Sequence, residues 1–321
     1  MKLLIIQTAF IGDVILATPI IEKVNSFFTE PKIDFLLRKG NEGLLKSHPK
    51  INKILIWDKQ KNKQKNLFTI LNTIRNEDYD YVINLQRFWS TGLLTAFSKG
   101  KTIIGFKKNP LSFLFHQKIE HKIEKGIHEI NRNLYLIESI TDNKIASPKL
   151  YPTQEDFNFV EKYKNEPYIC IAPTSVWFTK QFPEKKWIEL IKRLNRKIYL
   201  IGGNKDYEKC AQIITKSITK IENLCGELTL LQSAALMKDA EMNYVNDSAP
   251  MHIASAMNAP ITAIYCSTIQ EFGFGPLSTH SKVVQTKEQL DCKPCGLHGL
   301  RDCPKGHFKC ADTIDVNEII K

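Results

Sequence analysis

Short apolar runs, each followed by a stretch with helical spacing, recur along this chain and constrain its fold more than any other feature. The first is Leu3-Leu4-Ile5-Ile6. Runs of this length are too short for helices and lack the alternation of a half-exposed strand. They read as strands buried on both faces. In the first half, further strands are predicted at 33–37, 51–57, 81–85 and 102–106. Helices are predicted at 12–28, 43–47, 67–76, 90–98 and 127–139. The alternation stops at Ala146-Ser-Pro-Lys-Leu-Tyr-Pro152, whose two prolines mark a linker. It then resumes, with strands at 168–172, 197–201, 242–246 and 261–265, the last taken as the final clear strand. Helices intervene at 185–194, 207–217, 230–238 and 249–257. Strand–helix alternation demands a mostly parallel sheet covered on both faces. The expectation is an α/β protein of two consecutive Rossmann-like domains, residues 1–150 and 151–321, with a cleft between them.

No apolar run reaches the roughly 20 residues that span a bilayer. Lys2 and the apolar run after it resemble a secretory leader, but Asp13 interrupts the stretch. The segment also serves well as a first strand and helix. The expectation is a mature cytoplasmic protein. The net charge is +11, of which residues 1–150 carry +10. The lysines gather at 59–65, 99–108 and 118–125. Either this is a general basic surface, or the first domain faces an anionic partner such as nucleic acid, acidic lipid or a phosphorylated glycan. Few aromatics lie among these lysines, which argues against a platform for stacking single-stranded bases.

Chemistry concentrates at strand ends. Gly12-Asp13 opens a helix directly after the first strand, where ligands bind in doubly wound sheets. Asp13 equally suits an ordinary helix cap. In Asn246-Asp-Ser-Ala-Pro-Met-His252 a buried strand delivers Asp247 and Ser248 to a helix start with Pro250 in its first turn. Unpaired N–H groups and the helix dipole attract anions such as a diphosphate there, and small residues at Ser248 and Ala249 allow close approach. The same residues fit a plain capped helix, and His252 taken alone fits a core histidine. The loop Ala172-Pro-Thr-Ser-Val-Trp-Phe-Thr-Lys-Gln-Phe-Pro183 offers Lys180 as a point charge for phosphate. Gly202-Gly203 after a strand admits a ligand or simply makes a turn.

Eight cysteines divide unevenly. Cys170, Cys210, Cys225 and Cys266 stand alone in apolar or helical settings and read as buried thiols. Cys292, Cys295, Cys303 and Cys310 cluster near the C-terminus. Two close cysteines followed by two more fit tetrahedral zinc in principle, but the six residues between the second pair are looser than a usual knuckle, which favours reduced thiols or adventitious disulfides.

Taken in order, Gly12-Asp13, the Thr-Lys-x-aromatic-Pro loop, the strand ending in Gly202-Gly203 and Asp247-Ser248-x-x-x-His252 resemble the family 9 glycosyltransferases, the heptosyltransferases of lipopolysaccharide core assembly. The resemblance spans essentially the whole chain. It implies the GT-B architecture, with an active site in the interdomain cleft. It implies heptose transfer from ADP-heptose to an anionic lipid-borne acceptor, with inversion and without a catalytic metal or other cofactor. In this reading Asp13 is the general base. Lys180 holds the donor diphosphate and stabilises departing ADP, Ser248 and Ala249 cradle the phosphates, and Asp247 orients the donor. Thr8 and Ala9 border the donor, and Gly12, Thr174, Gly202 and His252 join that side. Arg87, Lys99, Lys101, Lys107 and Lys108 are the acceptor candidates. The partner is a glycolipid at the inner face of the inner membrane, met by a cytoplasmic, peripherally associated enzyme. Two positions depart from the family pattern: Ala249 stands where glycine is usual, and Gln181 where a basic residue is frequent.

Two other readings compete. A GT-B nucleotide-sugar epimerase needs more acid–base groups than Asp13. A basic nucleic-acid-binding protein with a zinc-stapled tail predicts salt-sensitive binding, but leaves Asp13 and the anion-type helix start without a role. A dinucleotide oxidoreductase lacks its glycine fingerprint.

Overall fold

The computed structural model describes residues 1–217 and 220–320. The chain divides into two compact units, Met1–Tyr151 and Pro152–Lys321. In the first, β1 (Lys2–Ile6), β2 (Lys32–Arg38), β3 (Lys53–Trp57), β4 (Tyr81–Asn84), β5 (Thr102–Phe106) and β6 (Gln117–Ile119) form one parallel sheet. Its order is β3-β2-β1-β4-β5-β6. The chain thus winds outward one way from β1 and then outward the other way from β4. The switch point lies between β1 and β4, where doubly wound folds bind ligands.

The helix Ile11–Phe27 follows β1 and is buried from Val14 to Val24, as its apolar composition on every side requires. Pro19 lies inside it and cannot donate to the carbonyl of Ile15. The Thr18 hydroxyl donates to that carbonyl instead, at 2.7 Å. Asn133, on the helix Glu129–Tyr135, donates to Leu16 O at 3.0 Å and ties the two helices together.

The second unit repeats the plan. Its strands β7 (Tyr168–Ala172), β8 (Lys197–Leu200), β9 (Ile221–Asn223), β10 (Met242–Asn246), β11 (Ile261–Tyr265) and β12 (Ser281–Gln285) pair in parallel in the order β12-β11-β10-β7-β8-β9. The switch point falls between β7 and β10. Trp187, Leu190 and Ile191 of the helix Glu184–Arg193 pack on the sheet in its main core.

Both sheets are wider than the sequence reading. β6, β9 and β12 were not expected, and β11 is not the last strand. All three close a sheet edge, and Gln117-Lys-Ile and Ser281-Lys-Val-Val-Gln carry polar residues suited to an edge. The continuous apolar signal of a two-face-buried strand is absent from them. The short helix expected at 43–47 is a single 3₁₀ turn over Glu42–Leu44. The helix expected over 127–139 spans only Glu129–Tyr135, because Leu136 and Ile137 already bond to carbonyls three residues back.

Candidate active site

In the first unit, the loops after β1 and β4 meet at the switch point. Gln7 N–H donates to Leu36 O at 3.0 Å, and the Gln86 side chain donates to the Gln7 side-chain carbonyl. Asn41 Nδ2 holds Ala9 O at 3.0 Å. Lys59 Nζ donates to both Thr8 O and Thr8 Oγ1 at 2.9 Å. Thr8 is therefore buried under Lys59, whose own ionisation is pushed down to about 8 by burial and by the positive charges of Arg38 and Lys63.

Asp13 stands in the first turn of the helix Ile11–Phe27, half-buried, with Gly12 before it. One carboxylate oxygen accepts from the Phe10 N–H at 3.1 Å and so caps the helix. The capping and catalytic readings are thus compatible, since the other oxygen is not part of that bond. Burial pushes the carboxyl up to about 6. The Phe10 N–H pulls it down, the charge of Glu129 pushes it further up, and Arg38 pulls it down. Glu129 itself is held below the usual range. Burial opposes its ionisation, but His121 (3.2 Å) and Arg132 (2.6 Å) outweigh that cost. A fixed negative charge therefore stands within reach of Asp13, an arrangement that suits a general base working near neutrality.

The acceptor candidates separate. Arg87 follows β4 and Lys107 and Lys108 follow β5, all at the carboxyl edge. Lys108 is pushed down to about 8 by burial, Glu129 pulls it up, and Arg87 and Arg132 push it down. Lys107 pairs with Glu120 at 2.7 Å. Lys99 and Lys101, by contrast, precede β5 and lie at the amino edge of the parallel sheet, where Lys101 pairs with Asp80 at 2.7 Å. They do not belong with Asp13. Arg38 also lies at the carboxyl edge: it ends β2 and stacks its guanidinium over the Phe10 ring at 4.7 Å.

In the second unit, the loops after β7, β10 and β11 converge. Lys180 ends the tight turn Phe178–Lys180, and its ammonium lies 2.6 Å from Asp247 Oδ2. The same oxygen accepts from Thr268 Oγ1 at 2.6 Å. Asn246, fully buried at the end of β10, holds both ends of the lysine loop. Its Oδ1 accepts from Phe182 N–H at 2.9 Å, and its Nδ2 donates to Thr174 O at 3.3 Å and Ala172 O at 3.4 Å. Ser248 is the extended residue before the helix Ala249–Ala256, and its hydroxyl does not cap that helix. Pro250 has no N–H and the Met251 N–H donates to Ser248 O at 3.1 Å, which leaves the Ala249 N–H as the first-turn donor that can face an anion. His252 is buried one turn further along. Gly202 has a packing reason of its own: a Cβ there would stand 2.9 Å from the Asp206 side chain and 3.1 Å from Cys225 Sγ. Asp206 in turn accepts from Gly203 N–H at 2.8 Å.

Cys292, Cys295 and Cys303 are half-buried and Cys310 is buried. All four are free thiols, and no group of three or more His, Cys, Asp or Glu among the described residues is arranged to hold a metal ion. Cys292 Sγ lies 3.9 Å from His307 Nε2, Cys295 Sγ donates to Cys292 O at 3.2 Å, and Cys310 is buried on the helix Lys309–Asp312. Reading the sequence alone missed Lys59, Arg38, Asn246, Thr268 and Glu129. Asn246 was the most accessible of them, as a polar residue ending a buried strand.

Two Rossmann-like α/β domains with charged loops gathered at their switch points are the GT-B plan of nucleotide-sugar-dependent glycosyltransferases. The family model "Glycosyltransferase family 9 (heptosyltransferase)" matches residues 67–298, and the chain belongs to that family. It is 26% identical over 343 residues to the lipopolysaccharide heptosyltransferase 1 of Campylobacter coli, covering 100% of this chain and 97% of that one. Its fold matches the crystal structure of the glycosyl transferase family 9 protein from Veillonella parvula DSM 2008 with a TM-score of 0.87, at 21% identity over 99% of this chain and 95% of that one. It also matches the E. coli heptosyltransferase WaaC with ADP-2-deoxy-2-fluoro heptose, with a TM-score of 0.70 at 18% identity, over 89% of this chain and 93% of that one. The protein is thus a glycosyltransferase.

Proposed function

We propose that this enzyme transfers heptose from ADP-heptose to a hydroxyl of an anionic lipopolysaccharide core acceptor, with inversion and without a catalytic metal. Residues 1–150 bind the acceptor and residues 151–321 bind the nucleotide sugar. The observation that carries the reading is the pairing of chemistries at the two switch points. One holds a carboxyl poised near neutrality, and the other holds a shielded lysine beside an open helix start. The relative from Campylobacter coli and the WaaC complex with an ADP-heptose analogue support the choice of sugar and donor.

In the reaction Asp13 accepts the acceptor proton as the oxygen forms its bond to the anomeric carbon. The bond from that carbon to the diphosphate breaks, and ADP leaves with the electron pair. Attack from the face opposite the diphosphate inverts the centre. Lys180 and the Ala249 N–H meet the negative charge that develops on the leaving phosphate, where preorganised donors contribute most. Asp247 and Thr268 aim the lysine, and Gly12, Thr8 and Ala9 shape the rim beside Asp13. Thr174, Gly202, Ser248 and His252 form the donor surface. No helix among the described residues is long and apolar enough to cross a membrane. The acceptor is met by peripheral association at the cytoplasmic face of the inner membrane.

The test is a thermal-shift panel of ADP-, UDP- and GDP-sugars followed by a transfer assay with and without EDTA. ADP-heptose should raise the melting temperature by mass action, and EDTA should leave transfer unchanged. Preference for a UDP- or GDP-sugar, or loss of transfer in EDTA, contradicts the reading.

A further inference from the structure

We propose that the cysteine-rich tail is a working part of the donor site, and that Thr179, clamped by the tail at Gly299 and Leu300, positions Lys180. This rests on the reading of Lys180 as the ligand of the donor diphosphate.

Lys180 ends a turn of only three residues, Phe178–Lys180, which has little rigidity of its own. A lysine side chain is also long and flexible. Something beyond the loop must hold it. Thr179 N–H donates to Leu300 O at 3.1 Å, and Leu300 N–H donates to Thr179 Oγ1 at 2.8 Å. Ser267 Oγ donates to the same hydroxyl at 2.9 Å, and that hydroxyl donates to Leu300 O at 3.3 Å. A hydroxyl has one proton to give and two lone pairs to fill. All three are used here by protein groups, in a spot where Thr179 is 1% exposed and Ser267 is 0% exposed. The tail's other end is fastened to the same place, since Cys295 N–H donates to Ser267 O at 2.8 Å.

The clamp is in register with the charge site. Thr179 binds Ser267. The next residues on each loop, Lys180 and Thr268, meet on Asp247 Oδ2. Gly299 has φ +76°, and a Cβ added there would stand 3.0 Å from both Lys180 Cγ and Thr179 Oγ1, and 3.3 Å from Trp177 Cβ. The tail backbone thus lies directly on the stem of Lys180, at a spot that only glycine fits. Phe178 stacks on Phe308 of the tail with ring centroids 5.1 Å apart. Every residue of the lysine turn is in contact with the tail. Apolar packing alone would stabilise the loop without need of a saturated hydroxyl beside the one charged residue.

The experiment is a double-mutant cycle on ADP affinity by isothermal titration, with Thr179→Val, Lys180→Ala and the double variant. Thr179→Ser serves as the conservative control, and Gly299→Ala as a second route to the same disturbance. Thermal midpoints check folding. Thr179→Val and Gly299→Ala should each weaken ADP binding by on the order of tenfold, and Thr179→Ser should stay near wild type. In the Lys180→Ala background the Thr179→Val effect should shrink to within about twofold, because the two residues act as one unit. In kinetics, the donor KM should rise while the acceptor KM holds. An undiminished Thr179→Val effect in the Lys180→Ala background makes Thr179 a structural residue only and overturns the proposal. So does wild-type ADP affinity in both Thr179→Val and Gly299→Ala. Should Thr179→Val not fold, Gly299→Ala carries the cycle alone. Unchanged affinity in Lys180→Ala alone is a separate result: it refutes the diphosphate role of Lys180, and this proposal with it.

Discussion

Lys180 and Asp247 form an ion pair 2.6 Å long in which neither partner is well exposed, the side chains being 13% and 7% accessible. A shielded pair of this kind is costly to break from one side, because the remaining charge is left uncompensated. In the proposed reaction an incoming diphosphate would compete with Asp247 for the lysine.

The two halves of the pair should therefore behave oppositely. Lys180→Ala should weaken ADP binding by roughly 1.5–3 kcal/mol, the range for hydrogen bonds to charged groups. It should also lower the melting temperature by stranding Asp247. Asp247→Asn should bind ADP at least as tightly as wild type, since a carboxylate facing the phosphates is gone, while turnover falls because the lysine is no longer aimed. Titration calorimetry and melting curves of the two variants check this. Equal losses of ADP affinity in both would contradict it.

Asp13 gives a pH prediction with a definite sign. Its carboxyl is raised to about 6 in the folded chain. It must be ionised to accept a proton, so kcat/KM should fall as pH drops through about 6 while donor binding persists. Stability runs the other way. Below about pH 4 the group is protonated in both folded and unfolded chains and contributes no difference. Between about pH 4 and 6 the folded chain keeps a proton that the unfolded chain has lost, so its ionisation cost builds with rising pH and stays constant above. Asp13→Asn should thus gain stability relative to wild type as pH rises from 4 to 7. A constant difference between the two proteins across that range would count against the raised carboxyl.

The acceptor should depend on charges at the carboxyl edge of the first sheet. Neutralising Arg38, Arg87 and Lys108 together should raise the acceptor KM and flatten its dependence on salt, which screens exposed charges over about 10 Å at 0.1 M. Neutralising Lys99 and Lys101 should leave it unchanged, because they stand at the opposite edge. Acceptor kinetics that respond equally to both sets would point to a general basic surface instead.

That division shows where the sequence misleads. Lys101 and Lys107 are six positions apart and look like one basic patch. β5 runs between them, and at about 3.3 Å per residue it carries them to opposite ends of the sheet. The central strands were legible because burial on both faces leaves a continuous apolar run, as in Leu3–Ile6. The edge strands β6, β9 and β12 carry no such mark. At the sites, Asp13 stood out because a charge just after a strand end needs a reason, and Lys180 only through its place in the Thr-Lys-x-aromatic-Pro loop. Thr268, Lys59 and Glu129 did not, because their importance comes from groups well removed in sequence: Asp247, Thr8 and Asp13. The Thr179–Leu300 clamp spans 121 positions and left no local trace.

The most direct test of the account is single-turnover transfer by Asp13→Asn with bound ADP-heptose. The rate should be lower by about 10²–10⁴-fold, the usual contribution of a general base, with ADP-heptose affinity intact and the variant at least as stable as wild type. Transfer at close to the wild-type rate in a folded, donor-saturated variant would contradict it.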